Sequence, residues 1–256
     1  MDRTLTFDRW VVGGGLLAIT AAGWLYLYRD SSANHCARMA EMAMPHLGGW
    51  GWTEFSLTFA MWTIMMAAMM VPSAAPIVLT FASVARRRRA AARPYAPTFV
   101  FLAGYLLVWA AFSLAATGAQ WALHRLNLLS PEMRASSSIL AALLLIVAGV
   151  FQWTRWKDAC LTQCRSPLAF LMTEWREGTA GALRMGARHG AFCTGCCWAV
   201  MLLLFVAGVM NLAWVALIAA LVLVEKIAPR ARAVVHATGL LFVAAGAWML
   251  VTALVR

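Results

Sequence analysis

RHGAFCTGCCWAVMLLLFVAGVMN, residues 188–211, sets three thiols and a histidine at the mouth of an unbroken apolar run. A run of about twenty apolar residues matches a helix that crosses a hydrocarbon layer of about 30 Å. Arg188 stands at one end of it and Asn211, a turn residue, at the other. The stretch therefore reads as a membrane-spanning helix, and its thiols call for an explanation. Cysteines in such a place are packed as small hydrophobes, bonded to each other, or holding a metal.

The rest of the chain has the same character. It has 256 residues, 63% hydrophobic and 12% charged, whereas soluble domains are about 45–50% apolar and about 25% charged. Thirteen Trp suit aromatic belts at two membrane interfaces. Apolar runs lie at about 10–28, 55–84, 97–121, 138–153, 190–210, 212–227 and 234–255. The fold expected is all-α: a polytopic integral membrane bundle of about seven transmembrane helices, one domain over 1–256. A polar outer segment fills 29–54. An amphipathic inner loop fills 154–189, with an interfacial helix near 167–177. The first run is long for a signal peptide and reads as a retained helix.

The net charge of +11 does not imply nucleic acid, because the basic residues sit in short loops between apolar runs. With the N-terminus inside, sixteen Lys and Arg fall on the inner side and five on the outer. That positive-inside bias predicts an inner N-terminus and an outer C-terminus, which in a bacterial inner membrane, the location expected, are the cytoplasmic and periplasmic sides. The partner expected first is the lipid bilayer. The sequence contains no Ser–His–Asp set, no carboxylate pair within one span and no glycine-rich phosphate loop. Binding or transfer is favoured over catalysis.

At 100° per residue, His189, Cys196 and Cys197 lie within about 60° of Cys193 around a helix. Cys160 and Cys164, one turn apart, lie across the same inner loop. On a reducing face, clustered cysteines point to metal or redox chemistry rather than stable disulfides, and thiolates favour Cu(I), zinc or iron–sulfur clusters. Met61, Met65 and Met69 repeat at one-turn spacing in the second run, with Pro72 and Pro76 beyond them. Such a row either fills gaps in helix packing or lines a soft-metal route. The outer segment holds His35, Met39, Met42, Met44 and His46 within twelve residues. It reads as a capture site for copper or as an amphipathic interfacial helix. Glu225 and Lys226 close the sixth run. They either snorkel to water or face the bundle as partners. Asp158 reads as a solvated charge.

Two blocks carry a family resemblance. One is Met61-Trp62-x-x-Met65-Met66-x-Ala68-Met69-Met70-x-Pro72 with Pro76. The other comprises Lys157-Asp158-Ala159-Cys160 through Cys164-Arg165-x-Pro167, Gly190-x-x-Cys193-x-Gly195-Cys196-Cys197-Trp198, Gly208-Val209-Met210-Asn211 and Glu225-Lys226. Over about residues 55–230 the chain resembles the bacterial domain-of-unknown-function family described as predicted metal-binding integral membrane proteins, some of whose members are labelled copper chaperone. The resemblance implies a metal ligand but no established reaction.

The function expected is handling of a soft metal, copper(I) first and zinc as the alternative: binding, delivery to or from a metal-donor or metal-acceptor protein, or movement across the membrane. Two other readings compete with it. One is a membrane thiol–disulfide oxidoreductase using Cys193-x-x-Cys196 with Cys160 and Cys164. The other is a structural assembly subunit of a membrane metalloenzyme.

Overall fold

A computed structural model describes residues 3–41, 51–91, 95–130 and 133–255, with side chains of the first stretch described over 10–31. The helices in chain order are α1 (Arg3–Glu41), α2 (Trp52–Ala90), α3 (Thr98–Arg125), α4 (Ser138–Gln152), α5 (Arg155–Arg165), α6 (Pro167–Glu174), α7 (Gly178–Met201), α8 (Leu204–Ala207), α9 (Leu212–Ile227) and α10 (Ala231–Val255). There is no strand among the described residues, only an isolated bridge between Leu129 and Ala135. The all-α expectation holds. Leu107, Leu114, Leu143, Leu217, Leu240 and Trp248 stand exposed on outward helix faces, a surface compatible with lipid rather than water.

The count of spans differs from seven. Five helical stretches are long and apolar enough to cross a membrane: Trp10–Ser31, Trp52–Ala90, Thr98–Arg125, Gly178–Ala207 and Ala231–Val255. A sixth arises if α4 and α5, bent by 66° at their junction, are taken together. The physical reason is length. α9 has 16 residues, about 24 Å of helix, which falls short of a hydrocarbon layer of about 30 Å. α4 has 15 residues. Counting apolar runs equates such short helices with full spans.

The second difference concerns the inner loop. Residues 154–189 contain α5, α6 and the first half of α7. α7 begins at Gly178, so Cys193 lies about fifteen residues into the helix rather than at its mouth. Thr154 starts α5 by accepting a hydrogen bond from the Lys157 N–H at 3.3 Å, and Ser137 does the same for α4 through Ile139 at 3.2 Å. Such caps satisfy N–H groups that the first turn of a helix leaves open.

The core forms where α2, α3, α5, α7 and α9 meet. α3 and α7 approach until backbones touch. A Cβ on Gly186 would collide with the Phe101 carbonyl, and one on Gly104 with the Leu183 carbonyl. Small residues at this spacing let helices pack in lipid, where apolar burial alone gives no drive to associate. α10 lies along α4 and α1 along α2, on the outside of this core. α7 breaks after Met201, and the break is stitched by Trp214, whose indole N–H donates to the Leu203 carbonyl at 2.8 Å.

Candidate metal centre

α5 lies against α7, and this contact brings the two groups of cysteines together. Cys164, on α5, lies close enough to Cys193 and Cys196, on α7, for their thiols to influence one another electrostatically, as do Cys197, Cys193 and Cys196 within α7. Cys193, Cys196 and Cys197 are buried, as is Cys164. All are free, and so is Cys160, which is half-buried. Gly195 makes the close approach of α5 possible, since a Cβ there would lie 2.9 Å from Cys160 Sγ. The glycine between the cysteines of Cys193-x-x-Cys196 is therefore the seat of a fifth sulfur.

The thiols of Cys196 and Cys197 donate to the Cys193 carbonyl at 3.1 and 3.0 Å. Cys193 has the richest surroundings. Its Sγ meets Lys226 Nζ at 3.0 Å and Tyr105 Oη at 3.1 Å. Lys226 also donates to Ser73 Oγ at 2.8 Å, and Tyr105 to the Met70 carbonyl at 3.2 Å. Four helices thus close on one sulfur: α2 through Ser73 and Met70, α3 through Tyr105, α9 through Lys226, and α7 itself. A buried ammonium must be paired or hydrogen-bonded to persist, and here its partners are a hydroxyl and a sulfur.

Glu225, next in the chain, turns to another side. Its carboxylate accepts from Lys157 Nζ at 2.7 Å and from Gln152 Nε2 at 2.8 Å, and Gln152 also donates to Thr238 at 3.1 Å. Lys157 is 0% exposed and Glu225 1%. Of the two sequence readings of Glu225 and Lys226, the bundle-facing one is found, and neither side chain snorkels. Both side chains lie on the inward face of the last turn of α9, whereas Val224 and Ile227 on that turn are exposed. Tyr105, Ser73 and Gln152 escaped sequence reading, and Lys157 entered it only as part of the cysteine block. Asp158 is exposed, 3.5 Å from Arg232.

His189 is buried one turn before Cys193, its ring 5.8 Å from that of Tyr105 and 5.3 Å from that of Phe170, centre to centre. Its Nδ1 is buried without a hydrogen-bond partner. Met61, Met65 and Met69 are buried along α2, and so are Met66 and Met70. The row therefore does not stand apart as one face. The methionine that reaches the cysteines is Met70, through its backbone carbonyl and Tyr105. His35 and Met39 fall within α1, but their side chains lie outside the described residues, and Met42, Met44 and His46 lie wholly outside them.

Among the described residues, no group of three or more His, Cys, Asp and Glu side chains is arranged as it would be around a metal ion. The thiols of Cys196 and Cys197 are turned to a backbone carbonyl, not to a shared centre. The donor chemistry is nevertheless soft, with four buried thiols gathered at the α5–α7 contact and a nitrogen of an adjacent imidazole unpartnered.

A family model described as copper chaperone matches residues 59–249. The chain belongs to that family. No curated protein and no solved structure matches it. The resemblance carried by the methionine and cysteine blocks is thus borne out. The matched residues of this copper chaperone family member include every side chain of the centre, from Ser73 to Lys226, and the methionine row of α2. They begin after the outer His/Met segment.

Proposed function

We propose that this protein binds copper(I) as cargo within a bacterial inner membrane and passes it to or from a partner protein or across the bilayer. The observation that carries the reading is the packing of α5, with Cys160 against Gly195, on the stretch of α7 that holds Cys193, Cys196 and Cys197, with Lys226 at 3.0 Å from Cys193, in a chain of the copper chaperone family. Thiolates are the ligands that select Cu(I), and two of them suffice for it. Rotating the Cys196 and Cys197 side chains away from the Cys193 carbonyl would offer their sulfurs to an ion held between α5 and α7. Two thiolates around one Cu(I) leave a net negative charge in an apolar interior. The Lys226 ammonium, 3.0 Å from Cys193, offsets it. Tyr105 positions the same sulfur. Cys160, at the edge of the group, and His189 are reserve donors for transfer.

In this proposal the cytoplasmic side is the one rich in arginine. The outer segment, with His35, Met39, Met42, Met44 and His46, captures metal, and Met61, Met65 and Met69 line the way along α2. The route is separable from the resting site. Elemental analysis of detergent-purified protein, prepared under reducing and copper-replete conditions, should give close to one copper per chain. The Met65→Leu/Met69→Leu variant should hold the same amount. Absence of both copper and zinc from the wild type contradicts the reading. Loss of copper from the methionine variant moves the resting site to α2.

A further inference from the structure

A cavity of about 600 Å³ opens where α4 gives way to α5, between the first turns of α5 and the start of α10. Its wall includes Arg155, Lys157, Arg165, Arg230 and Arg232. Asp158 is the sole carboxylate among its lining residues and lies 3.5 Å from Arg232. Lys157 is engaged by Glu225, and Arg165 donates to the Ala228 carbonyl. No ion pair engages Arg155 or Arg230 among the described residues. The N-termini of α5 and α10 open on the same space, and helix N-termini carry partial positive charge and free N–H donors. This surplus of positive charge repels a metal cation, so the cavity is not a copper entrance.

A further feature of the wall sharpens the chemistry. Gln152 is 2% exposed, and its amide nitrogen is taken by Glu225 and Thr238. Its Oε1 is buried with no partner. That oxygen is closed to the cavity, so what the wall offers is guanidinium and N–H donors for an anion. A phosphate group meets that need. The rim favours a lipid as its source, because Trp153 is exposed there, and Leu240 and Leu241 lie exposed further along α10. An aromatic side chain and an acyl-facing surface beside a basic pocket suit a headgroup at the membrane interface.

We propose that this cavity is a phosphate-binding site, occupied by the headgroup of an anionic glycerophospholipid or by a soluble phosphate. Occupancy would brace α5, the helix that carries Cys160 and Cys164, without touching the thiols.

The test is native mass spectrometry of the full chain in detergent, titrated in separate arms with phosphatidylglycerol, phosphatidylcholine and inorganic phosphate. The wild type should bind phosphatidylglycerol about tenfold or more tightly than phosphatidylcholine, given the contribution of each arginine near a headgroup. Arg155→Gln/Arg230→Gln should lose that preference. Asp158→Asn, which removes the repelling carboxylate and releases Arg232, should strengthen it and keeps the test decisive if the double variant does not fold. Saturable binding of inorganic phosphate, weakened in the arginine variant and without lipid preference, supports the site with a soluble ligand. Equal binding of both lipids with no phosphate bound overturns the proposal, as does a preference unchanged in both variants.

Discussion

Replacing Cys193, Cys196 and Cys197 together by serine is expected to lower Cu(I) affinity by more than about 100-fold. That is more than loss of an outer-shell partner typically costs a metal site, about 10–100-fold, and corresponds to roughly 3 kcal/mol of binding. Competition against a chromophoric Cu(I) chelator under reducing conditions reads it directly. The fold should survive the change. The sulfurs of Cys196 and Cys197 already donate to the carbonyl of Cys193, and serine hydroxyls make the same backward bond within a helix. A variant that melts within a few degrees of wild type yet has lost the metal isolates ligand chemistry from packing. An affinity unchanged within about threefold, roughly 0.7 kcal/mol, would remove the thiols from the account and return attention to Met61, Met65 and Met69.

The largest effect on stability is expected at Glu225. In Glu225→Ala the ammonium of Lys157, 0% exposed, keeps no carboxylate, and Gln152 keeps only Thr238 as an acceptor. Removing one partner of a buried pair costs about 3–5 kcal/mol. Replacing both partners by apolar groups is often neutral or better. Thermal unfolding in detergent should therefore show a large drop in Tm for Glu225→Ala and substantial recovery in Lys157→Met/Glu225→Leu. A single substitution costing less than about 1 kcal/mol, the scale of an exposed pair, would mean that the end of α9 is open to water. The pair also ties α5 to α9, so the prediction bears on how the thiols of α5 are held against α7.

Much of the centre was legible because it depends on local periodicity. Residues 189, 193, 196 and 197 share a face on any α-helix, and 160 and 164 are one turn apart wherever their helix lies. Apolar composition likewise announced an all-helical chain with several helices long and apolar enough to cross a membrane. The start of α7 was not legible. Arg184 and Arg188 lower the hydropathy of that segment, so it reads as loop. In the structure both are exposed, and Arg188 pairs with Glu174 at 3.1 Å. Gly181, Ala182, Met185 and Gly186 meanwhile face inward. Two charges on the outward face of a helix cannot be told from two charges in a loop by average hydropathy.

The partners of the thiols were hidden for a different reason. Lys226 meets Cys193, 33 residues away in the chain, and Ser73, 153 residues away. Such pairings arise only when α2, α7 and α9 are assembled. Glu225 and Lys226 at the end of an apolar run look like an interfacial pair. That reading fails because both lie on the inward face of the last turn of α9, while Val224 and Ile227 take the outward one. α2 is flanked by α1, α3, α6 and α9, so Met66 and Met70, on the face next to the row, are buried as well.

The central claim is that cysteine sulfur holds Cu(I) between α5 and α7. X-ray absorption at the copper edge of the copper-loaded wild type, kept in detergent under reducing conditions, tests it most directly. The account predicts an edge typical of Cu(I) and a first shell of sulfur that disappears in the Cys193→Ser/Cys196→Ser/Cys197→Ser variant. A first shell made of nitrogen or oxygen, or a sulfur shell that persists unchanged in that variant, would contradict it.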